Sequence, residues 1–220
     1  MKVQPPNPSE VEDLLVQCER LLNKYEGFAN ATKPAGYDGA RIMELRERLA
    51  ILQSTYRRIV SIVGPAFDAA TATFGMHIDQ RTDTFMVDPS LIFNEEVMRH
   101  SRELDLTLFE MTESFYHTAW RIREMIHPKA CGLPGLCGFD ASGIRNVRNL
   151  IMVHPETAKG PTALWSRGLS REQGPTLGGA HVGTEPPSFA DPGLFANAFE
   201  FAQNLHTRLS KAIAAGRQTE

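Results

Sequence analysis

The sequence predicts an all-α protein, a bundle of about five helices in a single domain over residues 1–220. Three observations predict it. Ile42, Leu45, Leu49, Leu52, Tyr56, Ile59 and Val63 step by 3, 4, 3, 4, 3, 4 along the chain. That spacing lays one unbroken apolar stripe on a helix, and a stripe so regular needs partner helices to cover it. A second stripe runs from about Asn94 to Ile126: Val97, Leu104, Leu108, Met111, Phe115, Ala119, Ile122 and Ile126, widened by Phe109, Tyr116 and Trp120. Finally, the connections are poor in strand patterning, and neither an internal repeat nor a composition break divides the chain.

The elements follow in order. "NPSEVEDLLVQCERLLNKYEG" places Ser9 and Glu12 at capping-box spacing and Gly27 where a helix-terminating glycine stands. Val11, Leu14, Leu15, Cys18, Leu21, Leu22 and Tyr25 form its apolar face. The second helix carries the Ile42–Val63 stripe and should stop at Gly64-Pro65. Within 66–94, "AFDAATATF" suits a short helix, and the rest suits a loop with an extended piece. The third long helix ends at His127-Pro128. After the glycine- and proline-punctuated "KACGLPGLCGFDASG", Asp140 or Ser142 can cap a helix that starts "IRNVRNLIMVHPE". Residues 155–188 are crowded with Gly and Pro and read as one long surface loop. The last helix spans about Pro192 to Ala214, with Leu194, Ala198, Phe201, Ala202, Leu205, Leu209 and Ala212 as its core face and Ile213 beside it.

Composition narrows the function. Apolar residues make up 42% and charged residues 22%, with 23 basic against 26 acidic side chains. That balance argues against a protein that coats duplex nucleic acid through a broad basic face, while leaving room for a local anion site. The N-terminus lacks the apolar core of a signal peptide, and no window is apolar enough to span a membrane. Cys18, Cys131 and Cys137 are an odd set, read as free thiols. The expectation is a soluble cytoplasmic protein with no membrane partner.

The chemistry lies in "IRNVRNLIMVHPE". At about 100° per residue, Ile144, Val147, Leu150, Ile151 and His154 share a stripe, and Arg145, Arg148, Asn149 and Met152 lie on another side. Arg148 and His154 sit roughly 240° apart around a straight helix and roughly 9 Å along it, too far to grip one phosphate together. Two arrangements remove that obstacle. Pro155 biases His154 out of the helical region, or two copies of the helix face each other across a dimer axis. The residue types suit RNA cleavage. A guanidinium binds phosphate bidentately at any relevant pH. An imidazole exchanges protons near neutrality, and the ribose 2′-OH supplies the nucleophile without a metal. Asn149 and Arg145 are placed to position the phosphate or the backbone. The competing reading makes His154 a structural residue on the last turn of the helix.

The run "RNLIMVH", Arg148 to His154, resembles the signature of the HEPN superfamily: an arginine, usually a polar residue next, and a histidine after four to six intervening positions. Here five intervene and the polar residue is Asn149. The resemblance implies an all-helical bundle with the motif on a late helix, a homodimer that joins two motifs, and metal-independent endoribonuclease activity without a cofactor. It further implies catalysis by Arg148 and His154 assisted by Asn149. Toxin–antitoxin or defence systems are the setting it suggests, with an antitoxin or regulatory protein as a partner. The long segment after His154 and the Pro155 that follows it depart from the family pattern, and a non-catalytic helical binding module is the alternative.

Other constellations are weaker. His127, Cys131 and Cys137 form H-x3-C-x5-C, short of the four ligands structural zinc takes. "GPTLGGAHVG", which includes His181, lacks the Lys-Ser/Thr of a phosphate loop. "FYHTAW", with His117, is expected in the core or a dimer interface, and Arg121 and Arg123 on a solvated face.

Overall fold

Asn7, not Ser9, starts the first helix. In the computed structural model, which describes residues 7–73, 77–79, 84–86, 94–148, 163–170, 174–181 and 193–217, the Asn7 side chain accepts the Ser9 N–H at 3.1 Å. Pro8 takes the first helical position, where its missing N–H costs no bond. Glu12, expected to complete a capping box, instead pairs with Nε of Arg57 at 2.6 Å. Helix α1 (Pro8–Thr32) runs straight through Gly27. Its buried stripe extends one step beyond the expected stop, to Ala29, and Lys33 ends it in the left-handed region with φ 42°. The Lys33 N–H donates to the Ala29 carbonyl at 2.8 Å.

Helix α2 (Gly39–Thr73) begins where the Asp38 carboxylate accepts the Ala40 N–H at 3.0 Å and the Arg41 N–H at 3.3 Å. All seven stripe residues from Ile42 to Val63 are buried. The helix does not stop at Pro65. Proline removes one backbone bond within a helix, yet continuing carries Ala66 into the buried stripe. Most of "AFDAATATF" is therefore the end of α2. The extended piece beyond it is an antiparallel hairpin of β1 (His77–Asp79) and β2 (Thr84–Met86).

Helix α3 (Glu95–Ile126) opens on Asn94, whose side chain accepts the Glu96 N–H at 3.1 Å. Leu108, Phe115, Tyr116, Ala119, Ile122 and Ile126 are buried, with Leu104, Phe109, Met111 and Trp120 partly so. The Val97 side chain lies outside the described residues. Residues 127–141 then pack inward, burying Cys131, Leu133, Leu136, Phe139 and Ala141. Gly132 (φ 76°), Gly135 (φ 81°) and Gly138 (φ 90°) supply left-handed turns that a side chain would strain. At Gly135 a Cβ would also meet Ala212 Cβ at 3.1 Å, so the loop lies directly on the last helix.

Helix α4 (Ser142–Arg148) buries Ile144 and Val147. Neither expected cap acts as one. Asp140 accepts the adjacent Ala141 N–H at 3.0 Å, and the Ser142 hydroxyl donates to Glu200 at 2.8 Å. The segment 155–188 is not wholly loop: β3 (Ala163–Ser170) pairs antiparallel with β4 (Gly174–His181), Ala163 opposite His181. Helix α5 (Leu194–Arg217) buries all seven residues of its expected core face, and Ile213 packs at the edge.

Among the described residues the bundle has five helices, as the sequence predicts. Helix α1 packs on α5 and α2, α2 on α3, and α4 bridges α3 to α5, while the β3–β4 hairpin lies against α2, α3 and α5. Tyr56 anchors the shared core, its ring centroid 6.1 Å from Phe115 and 5.9 Å from Phe195. Its hydroxyl donates to the Pro8 carbonyl at 3.1 Å, so the buried polar tip is satisfied. No helix among the described residues is long and apolar enough to cross a membrane.

Candidate functional site at the junction of α3 and α4

Trp120 and Arg123 are three apart on α3, a spacing that brings side chains together on a helix surface. The Arg123 guanidinium carbon lies 4.6 Å from the Trp120 ring centroid. Arg123 was expected on a solvated face; its side chain is only 6% exposed. A buried guanidinium must be compensated. Its Nε donates to Oδ1 of Asp140 at 2.8 Å and its NH1 to Oε1 of Glu124 at 2.8 Å. By contrast, Arg121 and His117 are exposed, so His117 is not part of the core that Phe115 and Tyr116 enter.

Asp140 is the hinge of the arrangement. Its carboxylate takes the Arg123 bond and the Ala141 N–H, and its second oxygen sits 3.8 Å from NH1 of Arg145. The Arg123 hydrogen bond, seconded by the Ala141 N–H and the charges of Arg123 and Arg145, holds the carboxyl below its ordinary range. Because Ile144 and Val147 turn inward, Arg145 points outward and Arg148 flanks the contact with α3. Arg148 is half-buried, and its guanidinium carbon also lies 4.6 Å from the Trp120 ring centroid. Two arginines from different helices therefore meet one indole. Among the described residues, three guanidiniums and two carboxylates meet at the junction.

Of the residues singled out in the sequence, the structure brings Arg145 and Arg148 to this junction, and Asn149 and His154 lie outside the described residues. Asp140, which the sequence offers only as a helix cap, and Trp120 as an arginine platform are the two junction residues that no sequence motif marks. The Trp-x-x-Arg spacing was the available signal for the second.

No family model, curated protein or solved structure matches the chain. The resemblance to HEPN proteins thus rests on the motif and the helical architecture.

The reading of Cys131 and Cys137 as free thiols is corrected. Cys131 and Cys137 are joined in a disulfide with a Cα separation of 5.5 Å, so they are neither free thiols nor paired ligands. Among the described residues no group of three or more His, Cys, Asp or Glu is placed to hold a metal ion. Cys18 is the thiol that fits the original expectation. It is buried, donates to the Ala202 carbonyl at 3.4 Å, and burial pushes its pKa up to about 12. His181 stands at the end of β4.

Proposed function

We propose that the chain is a HEPN-like, metal-independent endoribonuclease acting as a homodimer. The observation that carries the reading is the placement of Arg148. The signature arginine lies on a late helix, half-buried, with its guanidinium carbon 4.6 Å from an indole centroid. A guanidinium held against an aromatic ring keeps its planar fork of N–H groups, which can pair with two phosphate oxygens.

In the proposed reaction the ribose 2′-oxygen attacks the adjacent phosphorus. The new O2′–P bond forms as the P–O5′ bond breaks, leaving a 2′,3′-cyclic phosphate and a free 5′-hydroxyl. His154 takes the 2′-OH proton or donates one to the departing 5′-oxygen, and a second motif across the dimer axis performs the complementary transfer. Arg148 stabilises the charge that builds on the non-bridging oxygens. Asn149 and Arg145 hold the strand. A toxin or defence role, with an antitoxin as partner, belongs to the same proposal.

A non-catalytic helical binding module is the second reading. The observation in its favour is that Arg123 and Arg145 already answer to Asp140.

Purified full-length protein with EDTA is expected to cut single-stranded RNA and to leave DNA of the same sequence intact. Arg148→Ala and His154→Ala should each lower the rate by about a hundredfold or more without shifting the melting temperature. Full cleavage by both variants removes the proposed site. If wild-type protein cuts no RNA, the binding module stands instead.

A further inference from the structure

An indole that meets two guanidiniums is more than a packing residue. We infer that Trp120 is a positioning residue that sets the plane of the Arg148 guanidinium for a phosphodiester, an inference that rests on the ribonuclease reading above. An arginine side chain has many rotamers, and ordering them at the moment of binding costs entropy. A negative ring face attracts the cation and fixes its plane in advance.

The ring is itself held. Arg123 lies 4.6 Å from its centroid and is tied to Asp140 and Glu124, each at 2.8 Å. The helix that carries Arg148 is also held. Ser142 bonds to Glu200 at 2.8 Å, and Gly143 sits so near Asn197 that a Cβ there would collide with its amide oxygen. Platform and arginine are thus each fixed to the bundle, and the 4.6 Å approach of Arg148 to the ring joins them. Simple filling of the α3–α4 contact would be met by leucine; what leucine lacks is the aromatic face.

The test uses full-length protein and a 5′-labelled single-stranded RNA of mixed sequence in EDTA. Trp120→Phe, which keeps a ring face, is expected to retain kcat within about threefold, and Trp120→Leu to lose about tenfold in kcat while KM stays within about twofold. A second readout needs no cleavage. The chain has two tryptophans, so in a Trp165→Phe background Trp120 is the sole indole, and adding Arg148→Ala should red-shift its emission maximum. Wild-type kcat in Trp120→Leu overturns the inference and leaves the ribonuclease reading standing. An emission maximum unmoved by Arg148→Ala also overturns it. A red shift in a protein that cuts no RNA supports the Trp120–Arg148 pairing while the ribonuclease reading falls.

Discussion

Opening the Cys131–Cys137 bond should weaken the fold measurably without abolishing it. The two cysteines are six apart, so the covalent loop is small. Closing a loop of that size removes chain entropy from the unfolded state worth about 2 kcal/mol. The rest of the fastening is not covalent. Tyr25 donates to the Pro134 carbonyl at 2.8 Å, the Asp38 N–H to the Gly132 carbonyl at 2.8 Å, and Arg208 to the Leu136 carbonyl at 3.1 Å. Leu133, Leu136 and Phe139 are buried, and that packing should hold the segment in place after the sulfurs are separated. For a chain of this length about 2 kcal/mol corresponds to roughly 4–8 °C in melting temperature. Circular dichroism melts with and without a phosphine reductant should show that drop in the wild-type protein. Cys131→Ser/Cys137→Ser should melt at the reduced temperature in both conditions. Native thiol titration should find essentially none before reduction and two after it, because Cys18 is buried and burial pushes its pKa up to about 12. Cys137 lines a cleft of about 620 Å³ through which a reductant can enter. Two reactive thiols in the untreated protein, or a double variant that melts with the oxidised wild type, would refute the reasoning.

Two further outcomes are expected. Gly143→Ala drives a Cβ against the Asn197 amide oxygen and to 2.8 Å from a Glu200 oxygen. It should cost about 1–3 kcal/mol in denaturant melts, and an unchanged midpoint would mean that α4 is free to move off α5. Asp140→Asn tests the depressed carboxyl. A folded pKa below the ordinary 3.8 gives stability that is complete above that value and disappears as pH falls through the folded one. Wild type should therefore melt above the variant at neutral pH, the gap closing below about pH 4; a gap independent of pH would assign the loss to something other than this charge.

The long helices were legible because their signal is local and repeated. Every residue of the Ile42–Val63 stripe is buried, as 3-4 spacing requires. Single punctuating residues were less reliable guides. Gly27 and Pro65 each read as a stop, yet the buried stripe resumes at Ala29 and at Ala66, and tertiary burial outweighs one weak helical position. The β3–β4 hairpin was hidden for a different reason. "ALWSRGLS" and "GPTLGGAH" lack clean alternation, and the second contains three glycines and a proline, which composition assigns to loops. At the site, the sequence pointed to Arg148 and Arg145 through the motif. Trp120 and Asp140 acquire their roles only when α3, the loop and α4 converge, which no single helical period encodes.

That convergence gives the 127–141 segment a meaning beyond connection. It leaves α3 four residues after Arg123, bonds back to it through the Gly138 N–H on the Ile126 carbonyl at 2.8 Å, and is fastened to α1, α2 and α5 along its length. It then delivers Asp140 to Arg123 just before α4 begins. Burying a guanidinium carries a desolvation cost that a leucine or methionine at the same place would avoid, so packing alone gives no reason for Arg123. Its presence makes sense if the junction needs a fixed charge and a fixed ring rather than mere volume. The carboxylate that compensates it arrives three residues after the disulfide-closed loop, and the ring it steadies meets the arginine of α4. The rigidity of the loop is thereby carried, side chain by side chain, to the guanidinium proposed to hold the phosphate.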